Sequence, residues 1–464
     1  MASCAKKTLL IGLGAFICFV LLVQCLTRAL HKDFNGDEAF EVQYTLAAPY
    51  VDQMKSGAPG QVSSSPLYYL VERAWTQHVL KNEQTTLTGS DWRLSLRIVS
   101  ATALALGCFI TFLLWLNIAP LVAFSIPVLV TLSDQGIWFG AETRPYSSWI
   151  ALSLILSAIA IRWALRPGSA VFRMTWILMS FLLPATIITS PGQIYLITAV
   201  LVAWGLGTGI RDKSFYWILG LGLALSTLVF RYYHTSNTAF GPGLHLPNRA
   251  MELQPQGQIW KPFVEHALLP IGGLEGLVYT LVAIVLLLAA GILWKSNPNR
   301  RLYFLIGAVS LAQLPVIVLI FFIQIWAAYY VSERHFIFGV AIHALAIAGF
   351  VALCADGLIA VGSRYVRACR DHPGALRSAV MVLAFILLAF DWTHWSVFKL
   401  NRNLSEIRLA SNMPYCHGSV ESPGDGRDFN VLNEAFHSNH CVSNGLKDPN
   451  KKYLDFNPAW IYGS

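Results

Sequence analysis

Three carboxylates, Asp37, Glu38 and Glu41, stand close together in the stretch His31-Lys32-Asp33-Phe34-Asn35-Gly36-Asp37-Glu38-Ala39-Phe40-Glu41. Gly36 reads as a turn, and 37–48 as a helix whose first-turn acids suit the positive end of its dipole. On that helix Asp37 and Glu41 share a face, four residues apart, while Glu38 is offset. Acids this close repel one another unless a cation or a hydrogen-bond donor stands nearby. A solvated helix start explains them as economically as a reactive site does, and both readings stay open at this point. Two other short segments combine an acid with a base: Glu142-Thr143-Arg144-Pro145-Tyr146 and Ser332-Glu333-Arg334-His335-Phe336. The first could be a plain ion pair beside a proline. Asp391 and His394, three apart in the last apolar run, are read as groups reaching toward a polar surface.

The elements that must position these groups are set by composition. The chain has 464 residues, 55% of them hydrophobic and only 12% charged, with mean hydropathy +0.53. A soluble domain carries about 25% charged residues, so soluble, disordered and disulfide-scaffold classes are excluded. Crossing a ~30 Å hydrocarbon core takes about 20 apolar residues. Eleven such runs are legible: 8–30, 94–116, 118–133, 146–165, 174–189, 193–210, 215–233, 273–294, 302–327, 336–361 and 379–398. The runs 118–133 and 174–189 are short enough to be re-entrant pieces instead. The expected architecture is an all-α polytopic membrane protein, with a membrane domain over 1–398 and a short tail over 399–464.

Lys6, Lys7, Arg162, Arg166, Arg211, Lys295, Arg300, Arg301 and Arg364 lie between runs on one side, which this reading makes the cytoplasmic side. The net charge of +8 thus reflects membrane orientation, and no nucleic-acid partner is expected. The first run, preceded by Lys6 and Lys7 and lacking a small-x-small cleavage site, is read as a retained span. The acids then collect on the opposite side, in the loop 31–93, the stretch 134–145, the loop 234–272 and the turn 328–335. Within 31–93 a second amphipathic helix is expected from the Ser63-Ser64-Ser65-Pro66-Leu67-Tyr68-Tyr69 segment to about Leu80. The loop closes at Trp92-Arg93-Leu94-Ser95-Leu96-Arg97, with both arginines at the mouth of the next span and Trp92 as an interfacial anchor. Of eight cysteines, Cys18, Cys25, Cys108 and Cys354 fall in spans. Cys416 and Cys441 lie in the tail, outside, and are expected to form a disulfide. Nearby His417, His437 and His440 offer metal-ligand types without a zinc-finger spacing.

Taken in order, the Asp-Glu pair, Ser-Pro-Leu-Tyr-Tyr, Arg-Leu-Ser-Leu-Arg, Glu-Thr-Arg-Pro-Tyr and Ser-Glu-Arg-His-Phe resemble one family. Together they look like the GT-C membrane glycosyltransferases, nearest to the bacterial relatives of protein O-mannosyltransferases. That branch includes the aminoarabinose transferase of lipid A and the rhizobial galacturonosyltransferases of lipopolysaccharide. The likeness covers roughly 8–360. It departs at Ser64-Ser65-Pro66-Leu67-Tyr68, where many relatives have His-Pro-Pro-Leu-Tyr, so no role for that histidine carries over.

The resemblance implies a GT-C fold with about 11 spans and amphipathic helices in the first outer loop. It implies an inverting enzyme of a bacterial inner membrane, its site facing the periplasm. The partners it implies are a polyprenyl-phosphate sugar donor, the surrounding bilayer and a glycolipid, glycan or protein acceptor. Asp37 then matches the general base and Glu38 the second acid of a catalytic pair. Arg334 is the first choice to meet the leaving phosphate, because a guanidinium binds phosphate bidentately. Glu41, Tyr68, Glu142, Arg144 and His335 complete the implied substrate site. Some GT-C enzymes use a divalent metal and some do not, and the three acids fit either case. Two rival readings are weighed: a secondary transporter, against which stands the absence of an internal repeat, and a lipid-linked glycan ligase or polymerase. The loop 234–272, with Arg249, Glu252, Lys261, Glu265 and His266, is sparse for the latter.

Overall fold

A computed structural model describes residues 2–31, 38, 66–83, 89–165, 224, 264, 267–326, 333–365, 379 and 386. The runs 174–189 and 193–210, nearly all of 215–233 and 379–398, and the whole tail lie outside the described residues. So do Asp37, Glu41, Asp391, His394, Cys416 and Cys441.

Among the described residues the chain is helical, without a strand. The helices are α1 (Ala2–His31), α2 (Pro66–Glu83), α3 (Gly89–Leu116), α4 (Pro120–Thr131), α5 (Asp134–Gly140), α6 (Tyr146–Leu165), α7 (Gly273–Leu293), α8 (Arg300–Trp326) and α9 (Gly339–Tyr365). Short 3-10 turns cover Leu269–Ile271 and Glu333–Phe336. Five of the helices, α1, α3, α6, α7 and α9, are long and apolar enough to cross a membrane. The pair α4–α5, bent by 69°, makes a sixth if it is one broken span.

That bend bears on one expectation left open by the sequence. The run 118–133 reads as either a short span or a re-entrant piece; the chain turns sharply after Thr131, and Gly136, Ile137, Phe139 and Gly140 are buried while Asp134 and Trp138 are exposed. Pro120 starts α4, Ser133 caps α5 by accepting from the Gly136 amide at 3.1 Å, and Asp134 sits in the first turn of α5. Residues 141–145 follow, all buried.

The helices pack as two groups. In the first, α3 sits among α1, α4 and α6; in the second, α7, α8 and α9 pack on one another; α9 on α4 and α8 on α6 join them. Helices α3 and α6 run parallel, because their contacts advance together along both. The Ser100 hydroxyl donates to the Arg144 carbonyl at 2.9 Å, and the Arg162 guanidinium donates to the Leu114 carbonyl at 2.8 Å. Midway, a Cβ on Gly107 would overlap Ala151. This close approach of small residues is how helices associate where lipid removes the hydrophobic incentive to pack.

The core fills with Phe112, Trp115, Phe124, Trp149 and Trp163, while Leu13, Phe16, Phe19, Leu106, Val285 and Leu286 face outward. An apolar exterior around an apolar core is the pattern of a membrane bundle. The bundle therefore has two ends: a Glu38 end, and an Arg162 end where α3 and α6 finish and α8 begins.

Candidate functional site

At the Glu38 end the side chains named in the sequence meet. Arg97 lies on the third turn of α3 and is fully buried, as is Glu38. Its Nε donates to Glu38 Oε1 at 3.0 Å and its Nη2 to Oε2 at 2.9 Å, a bidentate pair. Arg97 Nη1 donates to the Ala29 carbonyl at 2.8 Å, and the Thr143 amide donates to Glu38 Oε1 at 2.8 Å. Four parts of the chain, the end of α1, the first loop, α3 and the buried 141–145 segment, are thus held at one ion pair. Two charges removed from water are tolerated here because both are paired and further hydrogen-bonded.

A second set of bonds runs alongside. Tyr68, on the first turn of α2, is buried; its hydroxyl lies 2.6 Å from Ser100 Oγ and donates to Glu72 Oε1 at 3.2 Å. Ser100 is one turn along α3 from Arg97 and reaches the Arg144 carbonyl. Trp75 Nε1 donates to the Ser95 carbonyl at 3.0 Å, so α2 is stitched to α3 at two levels. The helix over Pro66–Glu83 matches the amphipathic stretch expected to about Leu80. Its buried side carries Tyr68, Tyr69, Glu72 and Thr76.

Glu142 and Arg144 are both buried. Arg144 Nη2 donates to the Tyr146 hydroxyl at 3.0 Å, and its guanidinium lies 5.3 Å from that ring's centre. Arg28, near the end of α1, stands 4.8 Å from the ring centre of Trp138 on α5. The 3-10 turn bearing Arg334 and His335 belongs to the same end: Phe338, just past it, packs against Trp149 with centroids 5.7 Å apart. Arg334 and His335 are half-buried. Burial lowers the Arg334 pKa to about 10, which leaves it a cation at neutral pH.

The site residues expected from the sequence therefore divide as follows. Glu38, Tyr68, Glu142, Arg144, Arg334 and His335 are gathered at one end; Asp37 and Glu41 lie outside the described residues. The expectation that Glu38 acts beside Asp37 in catalysis meets a carboxylate whose oxygens are taken up by Arg97 and Thr143. Arg97, read as a span-mouth residue, is the hub. Ser100 and Glu72 were not singled out at all: a serine and a glutamate on amphipathic helices carry no motif, although Ser100 lies on the Arg97 side of α3. The cation side chains at this end are the natural holders of an anionic ligand. Among the described residues, no group of three His, Cys, Asp or Glu side chains could hold a metal ion. No protein-family model matches the chain, and no curated protein matches it significantly.

Proposed function

We propose that this membrane protein is an inverting glycosyltransferase of GT-C type. In this reading it has about eleven spans in a bacterial inner membrane, with the Glu38 end facing the periplasm. It moves a sugar from a polyprenyl-phosphate carrier to a hydroxyl of an extracytoplasmic acceptor. One observation carries the reading. Four of the five motif segments, far apart in sequence, are wired together by direct hydrogen bonds through Glu38, Tyr68, Arg97, Ser100, Thr143 and Arg144. The fifth, at Glu333–Phe336, lies at the same end.

The chemistry assigns a separate task to each acid. The acceptor hydroxyl gives its proton to the Asp37 carboxylate as its oxygen attacks the anomeric carbon from the face opposite the phosphate. The bond from that carbon to the phosphate oxygen breaks, and the carrier phosphate leaves with the electron pair. Arg334 meets the charge that develops there, more strongly for having little water around it. Glu38 is a positioning residue in this scheme: clamped by Arg97 and the Thr143 amide, it fixes the backbone beside Asp37. A divalent metal remains compatible with the acids of the first loop.

The test is transfer by the purified full chain, supplied with polyprenyl-phosphate sugars and envelope lipid or glycan acceptors and read by mass spectrometry. Asp37→Asn should lower turnover about 10²–10⁴-fold, the usual weight of a general base, with donor binding retained. Wild-type turnover in that variant would end the assignment of the base. Absence of transfer with every donor sugar would end the glycosyltransferase reading itself.

A further inference from the structure

At the opposite end of the bundle a cleft of about 220 Å³ opens between the ends of α3 and α6, lined by Asn117, Ile118, Arg162 and Leu165. Among the described residues the lining joins a cation and a neutral amide to two apolar side chains. Arg162 is held at the wall by its bond to the Leu114 carbonyl. Just behind Leu165, the Arg301 guanidinium donates to the Ala164 carbonyl at 2.8 Å, bringing a second cation to the same helix end. Arg300 and Lys295 are exposed close by in sequence, on the turn from α7 into α8.

We propose that this cleft binds the phosphodiester headgroup of an anionic phospholipid in the leaflet at the Arg162 end. A guanidinium and an amide together suit the oxygens of a phosphate ester. Basic pockets between the ends of spanning helices are where anionic headgroups are held. The cleft is smaller than the roughly 300–1,000 Å³ of pockets for drug-sized ligands, so it suits a headgroup fragment whose acyl chains stay in the bilayer. Its apolar wall, Ile118 and Leu165, lies where the glycerol and first methylenes of such a lipid would pass. That wall favours a lipid over a free phosphate ion, although the phosphate chemistry is common to both. The site is independent of the transferase reading.

The experiment uses the full chain in nanodiscs of phosphatidylcholine with phosphatidylglycerol added in steps, followed by native mass spectrometry of lipids retained on release. Wild-type protein should retain phosphatidylglycerol over phosphatidylcholine. Arg162→Gln should lower that preference about tenfold, the usual worth of one charge-assisted hydrogen bond. Arg162→Lys should keep part of it, and Asn117→Leu should lower it less. Asn117→Leu leaves the Arg162–Leu114 bond in place, so it decides the matter if Arg162→Gln fails to fold. Equal retention of the two lipids by wild type, or unchanged preference in Asn117→Leu and a folded Arg162→Gln, overturns the proposal. Displacement of the lipid by millimolar inorganic phosphate would overturn it in favour of a free-anion site.

Discussion

At the Glu38 end a guanidinium is spent on a carboxylate: Arg97 on Glu38, both without contact to water. At the Arg162 end guanidiniums are spent on backbone, Arg162 on Leu114 and Arg301 on Ala164. Among the described residues the acid at that end is Asp356, which accepts from Tyr303 Oη at 2.7 Å and Asn299 Nδ2 at 2.8 Å. The difference is one of purpose as well as partners. Arginines that cap helix carbonyls satisfy groups any helix leaves open at its C-terminus. A fully buried bidentate ion pair does not solve a problem every helix has; it fixes one register between distant segments, which is what a reaction site demands.

That contrast breaks most visibly at the pair itself. Glu38→Gln leaves Arg97 charged and buried without its counterion, a change that costs about 3–5 kcal/mol. Thermal unfolding in detergent micelles should show a large drop, and the double change Glu38→Leu with Arg97→Met should recover much of it. An additive double variant would mean that the two side chains are not energetically coupled, and that Glu38 is not the clamp.

The comparison also shows what the sequence could and could not disclose. Spans were legible because hydrophobicity runs are local: α1, α3, α6, α7 and α9 fall on runs read directly. Helix α2 was legible because Pro66 and the apolar spacing after it are local too. The shortness of 118–133 left a re-entrant piece open, but the place of the bend between α4 and α5 was hidden, since Ser133 and Asp134 look like the start of an exposed loop as readily as a helix cap. Glu38 and Arg97 were both noticed, yet their pairing spans 59 residues. No periodicity encodes that distance. Thr143 contributes through its amide, which every residue but proline possesses. At the Arg162 end the arginines were read as a one-sided charge bias, and their carbonyl partners, again backbone, were invisible.

Arg334 sharpens the contrast on the ligand side. Its pKa is lowered to about 10 from 12.5 because burial disfavours the cation. For a base with a depressed folded-state pKa, the buried charge costs stability below that value, and the cost is relieved as pH rises through about 10. On the proposed glycosyltransferase reading, donor binding has the opposite sign, since it needs the cation. Titrating donor affinity from pH 8 to 10.5 should therefore show a loss near the upper end. Arg334→Met should weaken donor binding about 10–100-fold, as loss of a charged hydrogen-bond donor does. A destabilised variant with normal donor affinity would make Arg334 structural.

Smaller effects attach to the supporting bonds. Tyr68→Phe removes the hydroxyl shared with Ser100 and Glu72, at about 0.5–1.5 kcal/mol. Because Tyr68 joins α2 to α3, turnover should fall along with stability on the proposed reading. Asp356→Asn at the other end keeps an acceptor for Tyr303, so turnover there should not change. Matching losses of turnover from both variants would show that the ends are not specialised.

The mildest expected change is Arg301→Ala. Arg301 is exposed and donates to the carbonyl of Ala164, at the C-terminal turn of α6, where a cation favours the helix dipole. Such a contact contributes about 0.3–1 kcal/mol, and salt should screen part of it. Unfolding temperatures at low and high ionic strength should differ less in Arg301→Ala than in wild type. The Glu38→Gln deficit, by contrast, should be nearly indifferent to salt, because no ion reaches a pair with no solvent exposure. If both variants responded to salt alike, the Glu38 pair would have to be wet, and the distinction between a capping end and a clamping end would fail with it.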